Sequence, residues 1–229
     1  MIDINKDILV ATNVYKSYQV GRNKRLNVLK GVDISIKSGE ILSIIGPSGV
    51  GKSTLLHIIG ALDRPDRGKV MINNHNVYHM EDKKLAYFRN QEIGFVFQFH
   101  YLLPEFTALE NVAMPALISG EPKNEAFQKA EKLLEEVNLR ERLSHKPNEL
   151  SGGENQRVAF ARSLMNEPLL ILADEPSGNL DQKNSEFLHS MMWDLVRKKN
   201  KAFIIVTHEK DLAEKTDRTI ELFDGRVKD

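Results

Sequence analysis

The stretch Ile41-Leu42-Ser43-Ile44-Ile45-Gly46-Pro47-Ser48-Gly49-Val50-Gly51-Lys52-Ser53-Thr54 decides the fold. Its first five residues, mostly apolar, read as a strand buried on both faces. A glycine-rich loop follows, and Ser53–Ile59 opens a helix. Strand, loop with G-x-x-x-x-G-K-[ST] spacing and helix form the context in which such a loop holds phosphate. Its backbone N–H groups ring the nucleotide phosphates, Lys52 reaches the β- and γ-phosphates, and the Ser53 hydroxyl can ligate Mg²⁺. A bare surface loop is the bland alternative, and the flanking strand and helix argue against it.

Three further apolar runs stand out: Ile93–Phe97, Leu169–Ala173 and Ala202–Val206. Each runs into chemistry, respectively Gln98, Asp174-Glu175 and Thr207-His208. In open α/β sheets, ligands bind beyond the carboxyl ends of the strands, so four stretches are expected to deliver polar groups to one rim. Asp174, closing a buried strand, suits Mg²⁺ held through water. Glu175 is expected to point elsewhere because strand side chains alternate. That carboxylate suits a general base polarising water in line with the γ-phosphate. A helix-capping Asp-Glu pair before Pro176 is the competing reading.

Around this core, Leu9–Tyr18 and Val28–Lys37 alternate like half-exposed antiparallel strands, and Lys69–Tyr78 reads as a hairpin turning at Asn73-Asn74. Ala108–Val137 is helical in pattern, with breaks expected at Pro115 and at Gly120-Glu121-Pro122. Glu125–Val137 carries Phe127, Ala130, Leu133, Leu134 and Val137 at helical spacing. A long helix is expected over Lys183–Lys199, its terminal Arg197-Lys198-Lys199 suiting the helix dipole.

A second motif, Leu150-Ser151-Gly152-Gly153-Glu154, reads as another anion-binding helix start. Ser151 and Glu154 have capping-box spacing, and the two glycines leave backbone N–H groups unobstructed. Two phosphate-binding surfaces far apart in sequence imply a nucleotide gripped from both sides. At 229 residues the length prior is one to two domains. Thirty-two Lys and Arg balance thirty-two Asp and Glu, so no basic field points to nucleic acid. The absence of cysteine excludes disulfides and thiolate chemistry. No apolar run approaches the roughly 20 residues of a membrane helix, and Met1–Val10 lacks a signal-peptide profile. A membrane role is therefore expected to come through a partner.

With these residues in place, the chain resembles the ATP-binding subunits of ABC transporters over essentially its whole length. Leu150, Ser151, Gly152, Gly153 and Glu154 match the family's signature. Gln98 falls at the Q-loop glutamine, Ser177-Gly178-Asn179-Leu180-Asp181 at the D-loop and His208 at the switch histidine. Tyr18, in Lys16-Ser17-Tyr18, matches the aromatic that stacks on adenine, with Tyr15 as competitor. The resemblance implies an α/β fold: a P-loop NTPase (RecA-like) core with a mainly parallel sheet, an N-terminal antiparallel β subdomain and a helical subdomain inserted at about 99–165, all in one domain over 1–229. It implies ATP and Mg²⁺ as cofactors. ATP would be held by Tyr18, Gly46, Pro47, Ser48, Gly49, Val50, Gly51, Lys52, Ser53, Thr54, Gln98 and Asp174. Ser53, Gln98 and Asp174 would bind the metal, partly through water, and Glu175 and His208 would act in hydrolysis. The active form would be a head-to-tail homodimer with two ATP molecules, each between the P-loop of one chain and the signature of the other. Asn155 departs from the family's usual Gln or Arg, with little effect on turnover expected.

The segment Phe99–Val112 is apolar for a loop leaving an active site. Part of it must be core of the helical subdomain. Part reads as a groove for a short helix of a membrane partner, with Phe99, Tyr101, Leu102, Leu103 and Phe106 as the contacts. Together with Gly60-Ala61-Leu62-Asp63 and Ala173–Asp181, it is most similar to the lipoprotein-releasing subgroup. That similarity implies LolC/LolE-like permease subunits, no nucleic acid and a peripheral place on the cytoplasmic face of the bacterial inner membrane. FtsE-like division ATPases and MacB-type efflux ATPases share the wording and remain alternatives. The efflux type fuses membrane helices to its ATPase, which this sequence lacks through Asp229. A soluble cassette acting on nucleic acid is disfavoured by the single signature, the missing heptad run and the balanced charge.

Overall fold

The computed structural model describes residues 7–21 and 24–228. Residues 1–6 of the Met1–Val10 stretch, read above for a signal profile, lie outside the described residues. The chain divides into two compact units, Met1–Arg89 with Asn200–Asp229, and Asn90–Lys199. In chain order the elements are β1 (Asp7–Val20), β2 (Lys24–Lys37), β3 (Ile41–Ile45), α1 (Lys52–Ile59), β4 (Arg67–Ile72), β5 (His75–Asn76), α2 (Asp82–Glu92), β6 (Ile93–Phe97) and α3 (Ala108–Ile118). Then come α4 (Lys123–Glu136), α5 (Gly152–Ser163), β7 (Leu170–Asp174), α6 (Gln182–Lys198), β8 (Ala202–Val206), α7 (Lys210–Ala213), β9 (Arg218–Phe223) and β10 (Arg226–Val227). Among the described residues no helix is long and apolar enough to cross a membrane.

In the first unit, an antiparallel sheet runs in the order β2-β1-β4-β5. Alternation sends Leu9 and Ala11 of β1 and Val32, Ile34 and Ile36 of β2 into the core, and an irregularity between Ala11 and Val14 returns Val14 to the same face. The β1–β2 ladder extends past the expected ends, through Gln19 opposite Arg25, because backbone pairing continues where the side chains turn polar. Asn73 and Asn74, at φ 48° and 64°, make the two-residue turn that a primed hairpin needs. The return strand is short, and the chain curls into a 3-10 turn over Val77–His79 instead of reaching Tyr78 as strand. β8 and β9 flank β3 in parallel, with Ile44 opposite both Val206 and Ile220. Leu55, Leu56, Ile58 and Ile59 of α1 are fully buried, each worth about 1.5–3 kcal/mol of transfer free energy. Ser43, buried within β3, is satisfied by the Thr219 hydroxyl at 2.8 Å.

In the second unit, β6 and β7 pair in parallel with Phe97 opposite Asp174. The expected strand Leu169–Ala173 is therefore shifted by one residue, and Asp174 is its last member. α3 starts on a capping box: Glu110 N–H donates to Thr107 Oγ1 at 3.2 Å, and Thr107 N–H to Glu110 Oε2 at 2.9 Å. The break expected at Pro115 does not occur. Pro115 lies inside α3, where its ring removes one N–H but its fixed φ suits a helix. Its carbonyl receives Ser119 N–H at 3.2 Å and Asn90 Nδ2 at 3.1 Å, and Gly120, at φ 91°, follows the helix end. α4 begins before the expected Glu125 and buries Ala126, Ala130, Leu133 and Leu134. Phe127 stays half-buried, with Lys123 Nζ 5.1 Å from its ring centroid. α6 follows the expected long helix closely and buries Leu188, Met191, Met192, Leu195 and Val196.

Candidate nucleotide site

The Gly46–Ser53 loop joins β3 to α1, as its sequence requires. Gly51 sits at φ 107°, and a Cβ there would come within 2.9 Å of Val28 Cγ1. At Gly46, φ 153°, a Cβ would collide with the Leu222 carbonyl. Only glycine lets the loop lie this close to its neighbours. Lys52 is buried, its ammonium donating to the Gly46 and Pro47 carbonyls at 2.9 and 3.1 Å. The cation is thus folded over the loop that is meant to take phosphate. Parallel register brings a second polar group to the same edge. With Ile44 opposite Val206, His208 lies level with Gly46, and Thr207 N–H donates to the Ile44 carbonyl at 3.2 Å.

Tyr18 donates through its hydroxyl to Asp63 Oδ2 at 2.7 Å, and Thr54 of α1 lies near enough to act on the same hydroxyl. Lys16 Nζ lies 5.0 Å from the ring centroid and 2.6 Å from Asp63 Oδ1. Burial, then the Asp63 contact, raises the phenol above its usual pKa. Asp63 itself is lowered: burial pushes it up, but hydrogen bonds from Lys16 and Tyr18 outweigh that. Tyr15, the competing aromatic, lines a separate cavity of about 620 Å³ with Lys30, Arg67 and Arg226. The structure therefore brings Tyr18 to the phosphate loop's helix. Asp63 and Val28 were not read as site residues, because neither lies in a motif of its own.

In the second unit the register places Gln98 and Glu175 one residue beyond the facing ends of β6 and β7. The expected reason for Glu175's direction does not hold, because the residue lies outside the strand. It adopts φ 44°, a left-handed backbone conformation costing of order 1 kcal/mol or more. Two tight turns follow, Gly178 N–H to the Glu175 carbonyl at 3.0 Å and Leu180 N–H to the Ser177 carbonyl at 2.9 Å. Gln98 meets this segment directly: its Nε2 donates to Asn179 Oδ1 at 3.3 Å, and Asn179 Nδ2 donates back to the Gln98 carbonyl at 3.2 Å. Asp181 ends the segment as the cap of α6, accepting Asn184 N–H at 3.0 Å.

The signature residues open α5 as expected. Ser151 Oγ accepts Glu154 N–H at 3.2 Å, and Glu154 Oε2 accepts Ser151 N–H at 2.8 Å. Arg142 Nε donates to the other carboxylate oxygen at 2.9 Å. The Ser151 backbone first, then Arg142 against the cost of burial, holds Glu154 down at about 2. A Cβ at Gly152 or Gly153 would find its nearest neighbour at 3.6 Å, ordinary contact. Packing among the described residues therefore does not demand glycine there. Asn155 points back instead, donating to the Pro147 and Leu150 carbonyls at 2.9 and 3.3 Å.

Of the five apolar residues read as partner contacts, Phe99, Tyr101, Leu103 and Phe106 are exposed and Leu102 is half-buried. Four large exposed side chains in one short segment are uncommon unless something covers them. Asn111, fully buried, ties the segment down through hydrogen bonds to Leu103, Phe106 and Thr107.

A glycine-rich loop between a parallel strand and a helix in one unit, and a capped glycine helix start in the other, are the equipment of a nucleotide-binding cassette. Residues 29–178, well over half of the chain, match the family described as ABC transporter. The chain belongs to that family. It is 58% identical over 202 residues to the lipoprotein-releasing system ATP-binding protein LolD of Bacteroides fragilis, spanning 88% of this chain and 94% of that protein. It is 53% identical over 222 residues to LolD of Cytophaga hutchinsonii, spanning 97% and 99%. A dimeric post-hydrolysis structure of the ATP-binding cassette MJ0796, bound to ADP and Pi, aligns with a TM-score of 0.89 at 41% identity, covering 96% of this chain and 97% of that one.

Proposed function

We propose that this chain is the ATP-hydrolysing subunit of a bacterial lipoprotein-releasing ABC transporter, a single cassette domain with its helical subdomain at about 99–165. It acts as a head-to-tail homodimer around two ATP molecules. The observation that carries the reading is the signature start: a capped helix at whose two glycines a Cβ would meet only ordinary contacts within the chain. In the dimer they lie against the nucleotide held by the partner's loop. The LolD names of close relatives and the dimeric MJ0796 cassette support the same reading.

In this reading Tyr18 stacks on adenine, Lys52 and the loop amides take the phosphates, and Ser151, Gly152 and Gly153 face the opposing γ-phosphate. The hydroxyl, amide and carboxylate oxygens of Ser53, Gln98 and Asp174 are hard donors of the kind Mg²⁺ takes; they would hold the ion, partly through water, and it would neutralise phosphate charge when bound. Glu175 accepts the proton of the attacking water, and His208 contacts the γ-phosphate. Cleavage splits the charge that joined the two chains, and the dimer loosens. Phe99, Tyr101, Leu102, Leu103 and Phe106 receive a short helix from a LolC/LolE-like permease at the cytoplasmic face of the inner membrane.

Glu175→Gln in ATP·Mg²⁺ tests this. Light scattering should find a dimer with ATP retained and no phosphate release, and purification from native membranes should bring a permease with a large extracytoplasmic domain together with lipoproteins. Wild-type phosphate release removes Glu175 as the base. Recovery of a division-type permease replaces lipoprotein release with the division reading.

A further inference from the structure

We propose that Arg142 works with the signature: it cancels the charge that Glu154 places at the start of α5, so that a turn capped by an acid can still receive a triphosphate. The inference rests on the reading that this turn faces the opposing γ-phosphate. Arg142 acts through Glu154 and is a positioning residue.

The capping box that builds the turn brings an electrostatic difficulty. Glu154 Oε2 accepts Ser151 N–H at 2.8 Å, and Glu154 N–H donates to Ser151 Oγ at 3.2 Å. The carboxylate is thereby folded back onto Ser151, the residue before Gly152 and Gly153. The positive end of a helix favours an anion, and here the chain supplies its own. With its pKa held down at about 2, Glu154 is ionised at neutral pH. A full negative charge within one turn of the surface that meets ATP repels phosphate, more strongly in a closed interface than in open water. A glutamine could make the same cap without the charge.

Arg142 removes the difficulty. It closes a 3-10 turn over Arg140–Arg142, in the segment between α4 and α5. Its N–H donates to the carbonyl of buried Leu139 at 2.9 Å, and its own carbonyl accepts His145 N–H at 3.0 Å. From that fixed position its Nε donates to Glu154 Oε1 at 2.9 Å. The Glu154 side chain is 18% exposed and that of Arg142 40%, so solvent ions screen the pair only in part. Among the described residues, Glu154 is the one hydrogen-bonding partner of the Arg142 side chain. Arg157, one turn further along α5, is directed to other contacts. It donates to the Val137 carbonyl at 3.3 Å, and its guanidinium carbon lies 5.4 Å from the Phe187 ring centroid. Loss of Arg142 would leave Glu154 charged and still held in place by Ser151.

Dimerisation of the Glu175→Gln chain in ATP·Mg²⁺, followed by light scattering against protein concentration, reads the effect. The midpoint should track the summed charge of the two side chains. Arg142→Gln, which leaves the carboxylate uncompensated, should raise it by about tenfold or more, the scale of a lost charge-assisted hydrogen bond. Glu154→Gln, which leaves the guanidinium in excess, should lower it by about threefold or more. The double variant Arg142→Gln/Glu154→Gln and the charge-keeping Arg142→Lys should return close to the parent. Added salt should shrink the Arg142→Gln penalty relative to the parent, because it screens repulsion. A purely structural role would leave the double variant as weak as Arg142→Gln and the penalty indifferent to salt. Parental dimerisation in Arg142→Gln overturns the proposal, as does a double variant no better than Arg142→Gln. If Arg142→Gln does not fold, Glu154→Gln decides, and an unchanged or weakened dimer overturns the proposal. These outcomes, in a parent that dimerises, leave the dimer reading intact. A parent that stays monomeric with ATP overturns both.

Discussion

Asn111 offers the sharpest test of how the exposed segment is held. Its side chain is 1% exposed. Oδ1 accepts Leu103 N–H at 2.8 Å, and Nδ2 faces the carbonyls of Leu103, Phe106 and Thr107 at 3.0–3.1 Å. Two amide hydrogens shared among those carbonyls, plus the accepted N–H, amount to about three bonds. At about 1 kcal/mol net for each, Asn111→Leu should cost about 3 kcal/mol, with volume roughly kept and the bonds gone. Asn111→Ala should cost slightly more by adding a small cavity. Urea unfolding gives the total, and exchange at the Leu103 and Phe106 amides locates it. ATP turnover of the isolated chain should change little, whereas stimulation by the permease should fall with the loss of a defined loop. A cost below about 1 kcal/mol, or unchanged exchange at Leu103, refutes the view that one buried amide templates the segment.

Gly152→Ala should leave the monomer as stable as before or up to about 1 kcal/mol more stable, since alanine is the better helix former, yet abolish ATP-driven dimerisation in the Glu175→Gln background. A destabilised monomer contradicts the open surface described for that turn. Lys52→Ala should weaken ATP binding itself in calorimetry, and unchanged affinity removes the lysine from phosphate recognition. Glu154→Gln should be less stable than the wild type at pH 7. Because the folded carboxyl lies near 2 against an ordinary 4.5, its stabilisation is complete above about 4.5 and fades as pH falls through about 2. The gap between the two proteins should close over that window in urea titrations, and a gap independent of pH would falsify the assignment.

Much of the fold was readable because its decisive signals are local. Ile41–Ile45, Ile93–Phe97 and Ala202–Val206 are buried strands announced by their own composition, and the phosphate loop and the Ser151–Glu154 box carry their geometry in their spacing. Elements that show the core little were missed. α2 buries only Leu85, and β9 sends only Ile220 and Leu222 inward, too few for a period to register. Pro115 misled because the ring removes one N–H while its fixed φ still suits a helix, so α3 runs through it. Glu175 leaves the strand for a left-handed backbone, a torsion that residue alternation cannot foretell. The contacts of Arg162 with His100 and Tyr101 join positions about sixty residues apart, and nothing local marks them.

The independence of Gly152 and Gly153 from the chain's own packing has a genetic consequence. A substitution there passes every cellular check on folding, so proteases and chaperones let it accumulate like the normal product. Each such chain still carries a sound phosphate loop and the exposed loop that we propose receives the permease. In the proposed head-to-tail dimer it would compete for partners and spoil the site it completes for a normal chain. Alleles at these two codons should be dominant over the wild type, whereas core alleles, cleared as unfolded chains, should be recessive.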